Sequence, residues 1–123
     1  MKKDFAYLKR KILQLEEIRS SALDLLLSRT ELICGVYSEI LVKCGKLGCH
    51  CERKPIHPVT RLNVRSQGKV KCKLVRVADR KTIRQLVQTY KEHIGALRSA
   101  GKIESQERKL FKELIKMKNK SYE

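Results

Sequence analysis

A chain of 123 residues carrying 29 Lys and Arg against 13 Asp and Glu, a formal charge of +16, has room for one small domain or a core with helical extensions. Several independent hydrophobic cores are excluded at this length. Such a cationic excess favours a polyanionic partner, nucleic acid before an acidic membrane surface. No apolar run approaches the roughly 18 residues that span a bilayer, and no basic, apolar and small-residue signal opens the sequence, so a cytoplasmic protein without membrane attachment is expected.

No Gly or Pro precedes Gly35, and Phe5, Leu8, Ile12, Leu15, Ile18, Ala22 and Leu25 or Leu26 recur at steps of three and four. This period predicts an amphipathic helix of about 25 residues within 1–31, with Asp4 as its N-cap. Lys9, Arg10, Glu16, Glu17 and Arg19 occupy the opposite face. The apolar stripe needs a partner, either the C-terminal helix or a second copy of the chain in a coiled coil.

Residues 32–78 read as the core. Leu32 to Lys43 keeps both strand and helix spacing; a strand from Val36 to Lys43 is favoured because it runs straight into Cys44. Cys34 and Cys72 read as core thiols. The stretch Cys44-Gly-Lys-Leu-Gly-Cys49-His-Cys51-Glu-Arg-Lys-Pro-Ile-His57 concentrates three cysteines and a histidine at spacing C-x4-C-x-C-x5-H. We read Cys44, Cys49, Cys51 and His57 as a structural zinc site. Cys49 and Cys51 project to one side of an extended segment and His50 to the other, which leaves His50 as the weaker candidate for fourth ligand. Three thiolates and an imidazole around zinc leave one excess negative charge, which Lys43, Lys46, Arg53 and Lys54 can neutralise. A closed shell serves folding, since catalytic zinc keeps a position open. The rival is a loop of ordinary reduced thiols. A disulfide framework is the weakest option for five cysteines without an export signal.

At this motif the sequence resembles a family of small prokaryotic proteins grouped as a domain without an assigned activity. Its members carry Cys-Gly-Lys-x-x-Cys-x-Cys, a short basic loop, His-Gly-Pro-Tyr, a β-hairpin and a long charged helix. Cys44-Gly45-Lys46, Cys49, Cys51 and His57 fit that order, as do the hairpin and helix that follow, over roughly residues 36 to 120. Pro58-Val59-Thr60 stands where the family has Gly-Pro-Tyr, so no role of that aromatic residue carries over. The resemblance implies a zinc-finger-like core and an association with mobile elements or their neighbourhoods, with no activity attached.

After His57, Thr60, Leu62 and Val64 alternate with Arg61, Asn63 and Arg65; beyond Ser66-Gln67-Gly68, Lys69, Lys71 and Lys73 alternate with Val70, Cys72 and Leu74. A three-residue loop with Gly68 left-handed predicts the pairs Arg65 with Lys69, Val64 with Val70, Leu62 with Cys72 and Thr60 with Leu74. One face is then apolar, and the other shows Arg61, Arg65, Lys69, Lys71 and Lys73 without an acid. Like charges opposite one another cost stability, and phosphates would relieve them. The rival is a solvated edge that lysines keep from pairing with other chains.

Asp79 is expected to cap a helix over Ile83, Leu86, Val87, Tyr90, Ile94 and Leu97. Gly101 and the polar run Lys102 to Lys109 predict a break near Ala100 to Ile103, with Ser105 capping a second helix; one continuous helix is the rival. The expected class is α+β: a long N-terminal helix (1–31), a small zinc-pinned antiparallel sheet or hairpin (32–78), and one long or two C-terminal helices (79–123). The expected function is a non-catalytic, zinc-finger-like nucleic-acid-binding protein. It would serve a nucleoprotein complex of mobile-element or ribonucleoprotein type, with RNA and DNA both open. Lys43, Lys46, Arg53, Lys54, Arg61, Arg65, Lys69, Lys71 and Lys73 would meet the backbone. The alternative is an adaptor or homodimer whose helices dock a transposase, recombinase or similar machine. Enzyme chemistry is disfavoured, since the acids are dispersed and a Cys51 nucleophile with His57 as base lacks an orienting acid other than Glu52.

Overall fold

A computed structural model describes residues 4–43, 45–50 and 53–122. The element order is α1 (Phe5–Leu26), β1 (Gly35–Val42), β2 (His57–Ser66), β3 (Lys69–Leu74), a short 3-10 turn (Val77–Asp79) and α2 (Arg80–Lys118). The three strands form one antiparallel sheet in the order β1-β2-β3. The fold is therefore α+β. No helix among the described residues is long and apolar enough to cross a membrane.

α1 begins where expected. Asp4, in extended backbone, accepts the Tyr7 amide on Oδ1 at 2.8 Å, which satisfies one of the donors a helix start leaves free. Leu8, Ile12, Leu15 and Ala22 are buried. Phe5 and Ile18, counted in the same stripe, are 49% and 54% exposed; a single neighbouring helix covers a seam narrower than the whole apolar face.

α2 runs unbroken for 39 residues, so the expected break near Ala100 to Ile103 is absent and Ser105 caps no second helix. The physical reason lies inside the polar run. Ile103, Glu107, Leu110 and Leu114 fall at steps of four, three and four on one side, where Ile103, Glu107 and Leu114 are buried and Leu110 is half-buried. The stripe continues with a glutamate in it. At the start of α2, the 3-10 turn Val77–Asp79 leads directly into the helix, with the Asp79 amide bonded to the Arg76 carbonyl at 2.9 Å.

The chain divides into two compact units, Met1–Arg29 with Glu92–Glu123, and Thr30–Lys91. In the first, α1 and the C-terminal part of α2 pair antiparallel. Leu8, Ile12 and Leu114 form a core cluster with Tyr7 and Leu110 against it. The Lys118 ammonium stands 6.0 Å from the Phe5 ring centroid, and Arg19 lies 3.6 Å from Glu104.

Glu107 is 6% exposed, and its Oε1 has no hydrogen-bond partner. Burial first, then the hydrogen bond and charge of Glu16, push its carboxyl above the ordinary carboxylate value of 4.5; Arg19 pulls it down and Glu104 adds a smaller push. Above that ordinary value the folded chain holds a proton the unfolded chain has released, so this group's contribution falls as pH rises through the raised folded value. Glu107→Gln should raise the unfolding midpoint in dilute solution at neutral pH by a few degrees. It should also shrink the stability gained on acidification to about pH 5, as read by thermal unfolding at both pH values.

In the second unit the β1–β2 ladder runs from Gly35 opposite Val64 to Val42 opposite His57. Thr60 (2% exposed) and Leu62 are buried, as is Val87 on α2. The Ile33 amide bonds to the Leu86 carbonyl at 3.2 Å. Gly35 is required by close approach: a Cβ there would lie 2.9 Å from the Asn63 carbonyl oxygen and 3.1 Å from Leu62 Cδ1. Gly35→Ala should push β1 off β2 and cost about 1–3 kcal/mol in denaturant unfolding, where an exposed-strand Gly→Ala would be neutral or stabilising.

The hairpin register differs from the expected one by a residue. Ser66 pairs with Lys69, Arg65 with Val70, Val64 with Lys71, Asn63 with Cys72, Leu62 with Lys73 and Arg61 with Leu74. Both Gln67 (φ 51°) and Gly68 (φ 78°) are left-handed, which makes a two-residue turn of the kind that matches strand twist. The expected turn places positive φ at Gly68 alone and so contains a third loop residue.

Candidate metal loop and cationic strand

A one-residue slip moves a whole strand's side chains to the other face. Lys69, Lys71 and Lys73 therefore share a face with Tyr37, Thr60, Leu62 and Val64, while Arg61 and Arg65 share the other with Val36, Val70, Cys72 and Leu74. The single all-cationic face is not formed, and the cross-strand pairs Arg65 with Lys69 and Arg61 with Lys73 do not exist. What remains is a cationic edge. β3 is an outer strand exposed at every residue, and its three lysines make no ion pair with any acid among the described residues. Arg65 is exposed and Arg61 half-buried.

The connection from β1 to β2 holds the motif. The sheet fixes its ends, since Val42 is paired with His57. Gly45 (φ 80°) and Gly48 (φ 81°) fold it back, with the Cys49 amide 3.4 Å from the Lys46 carbonyl. Cys49 Sγ and His57 Nε2 come to 3.3 Å, both side chains half-buried. Zinc–sulfur and zinc–nitrogen bonds of about 2.3 and 2.0–2.1 Å at a tetrahedral angle put two such ligands about 3.5 Å apart. The observed pair has the separation and the donor chemistry of two neighbouring zinc ligands, so Cys49 and His57 fit the ion. Cys44 and Cys51 lie outside the described residues, among which no three metal-ligating side chains converge. His50 is exposed, as are Lys43, Lys46, Arg53 and Lys54 around it.

Cys34 and Cys72 were expected in the core; both are exposed. Cys34 precedes β1, and Cys72 takes the open face of an edge strand because of the register shift.

One constellation had no sequence signal. Arg84 on α2 lies 3.2 Å from Glu39 Oε1 and 3.5 Å from the Tyr37 hydroxyl, its guanidinium carbon 5.3 Å from the ring centroid, while that hydroxyl donates to Glu39 at 3.1 Å. The guanidinium pKa is raised, by the Tyr37 hydrogen bond first. These contacts occupy Tyr37, one of the few aromatic rings that base stacking could use.

Compared with known proteins, the chain matches no family model, no curated protein and no solved structure. The resemblance carried by Cys44 to His57 and by the hairpin and helix after them rests on the sequence alone.

Proposed function

We propose that this chain is a non-catalytic, cytoplasmic nucleic-acid-binding protein in which a zinc ion held by Cys44, Cys49, Cys51 and His57 pins the β1–β2 connection. The exposed edge strand β3 lays Lys69, Lys71 and Lys73 along the phosphate backbone. Zinc here supplies folding energy, and His57, anchored in the sheet opposite Val42, sets where the loop closes. Lys43, Lys46, Arg53 and Lys54 extend the cationic surface beside the loop, and Arg61 and Arg65 flank it from the other sheet face. The setting suggested by the motif is an accessory subunit of a mobile-element or ribonucleoprotein complex, a zinc-finger-like module whose helices dock to the larger machine.

The observation that carries the reading is the row of three solvent-facing lysines with no ion pair to an acid among the described residues, on a chain of net charge +16. Binding by such a row is sequence-tolerant and set by counterion release. If about six phosphates are neutralised, affinity for a duplex or single strand should fall roughly a thousandfold between about 50 and 200 mM salt. Fluorescence anisotropy over a salt series, run with RNA and DNA probes side by side, tests this. A salt-independent affinity, or no binding at the lowest salt, removes the reading.

A further inference from the structure

Within the helical unit, α2 carries Leu97, Gly101, Glu104, Arg108, Phe111 and Ile115 at alternating steps of four and three, a spacing that keeps all six on one side of a helix. The side buried against α1 is the neighbouring one, through Ile103, Glu107 and Leu114, although Glu104 reaches Arg19 of α1 at 3.6 Å. Leu97, Phe111 and Ile115 are 58%, 48% and 66% exposed, and Gly101, Glu104 and Arg108 are exposed as well. Read from either end, the row is chemically complementary to itself: apolar against apolar outermost, small against large next, acid against base at the centre.

We propose that this row is the surface through which two copies of the chain pair, α2 antiparallel to α2, about a two-fold axis between Glu104 and Arg108. In such an interface residue i meets j while j meets i. Leu97 then lies against Ile115 of the second copy, Gly101 beneath its Phe111, and Glu104 beside its Arg108, each pair occurring twice. The inference stands apart from nucleic-acid binding.

Three observations on different groups support it. Glycine inside a helix is destabilising relative to alanine, yet a Cβ at Gly101 would meet nothing within 4 Å of its own chain; a ring laid across the helix by a second copy gives the small residue a reason. Glu107 Oε1 is buried and unpartnered in a groove lined by Glu16, Arg19, Glu104, Arg108 and Phe111, and Arg108 of the second copy brings a guanidinium donor there. Two chains of charge +16 repel in general, whereas the groove places Glu16 and Glu104 beside Arg19 and Arg108, a mixed-charge patch on which a second copy can match acid to base. A helical pair buries one stripe on each helix, and a second stripe on α2 calls for further helices, as in a four-helix bundle.

Sedimentation equilibrium of the full chain tests the pairing. The unmodified chain should dimerise, and Glu104→Arg or Arg108→Glu alone should each raise the dissociation constant at least about tenfold by replacing two attractions with two repulsions. Mixed in equal amounts, the two variants should recover a heterodimer of near wild-type affinity, since each supplies what the other lacks. Because Glu104→Arg also removes the ion pair with Arg19, Gly101→Leu is a second probe: helicity should be kept or raised while dimerisation is abolished. A monomeric wild-type chain overturns the inference, as do single variants that dimerise normally, a helical mixture that stays dissociated, or a Gly101→Leu chain as tightly paired as wild type.

Discussion

Protein purified without added metal is expected to carry one zinc per chain by native mass spectrometry, and His57→Ala or Cys49→Ser to lose it together with the β1–β2 pairing. The magnitude is large because the proposed ion would close a connection with few buried contacts of its own. The side chains of residues 45–50 and 53–56 are exposed apart from Cys49, so little apolar burial holds this loop against its conformational entropy. A structural zinc contributes on the order of 10 kcal/mol of apparent binding energy to modules of this kind, which exceeds what the few buried residues of this unit, Thr60 and Leu62 on the sheet and Val87 on α2, can replace. His57→Cys should retain metal, because four thiolates also make a closed structural site. Cys34→Ser and Cys72→Ser should leave it unchanged, as both thiols are exposed and separate from the loop sequence. Amide exchange along Val36–Leu41 reports the outcome. Metal-free protein with the exchange protection and melting temperature of the purified form would end the zinc assignment.

Reversing Lys69, Lys71 and Lys73 together to Glu should lower nucleic-acid affinity by about a thousandfold at low salt and reduce the slope of log K against log salt by about three, one unit for each phosphate left without its lysine. The register makes the comparison sharp. Arg61 and Arg65 stand on the opposite sheet face from the lysines, so Arg61→Glu with Arg65→Glu should cost at least about tenfold less affinity than the lysine triple. Had the hairpin carried all five cations on one face, the effects per residue would be alike. Equal effects would place the backbone across both faces, and an unchanged affinity in the lysine triple would remove β3 from the interface.

Much of the architecture was legible because local chemistry and long-range packing agreed. The Asp4 cap and the α1 stripe each satisfied one rule without competition, and of the two spacings Leu32 to Lys43 keeps, the strand was the one formed, over Gly35–Val42. The hairpin was visible as two alternating runs, yet its register turned on whether Gln67 accepts a left-handed backbone, and no side-chain pattern decides that. The two candidate pairings also differ in a way alternation alone hides: the expected one matched apolar with apolar, while the observed one sets Leu62 and Val64 opposite the aliphatic stems of Lys73 and Lys71. Gly101 and the polar run misled because a helix tolerates glycine when packing holds its flanks, and because Glu107 occupies a stripe position that reads as surface. In the candidate metal loop, an approach of Cys49 to His57 was foreseeable from their spacing; the Arg84, Tyr37 and Glu39 cluster was not, since it joins residues 45 and 47 apart in sequence.

The pairing of Leu8 and Ile12 with Leu114 also dictates the order in which the chain can mature. A ribosome releases α1 roughly a hundred residues before the segment that covers it, an interval of about 5–20 s at ordinary elongation rates. During that time the nascent chain can complete the sheet, whose partners lie close in sequence, but its leading helix must wait with an uncovered apolar seam. Newly made chains are thus exposed to capture by holdase chaperones at α1, and translation speed between α1 and the segment around Leu114 sets for how long.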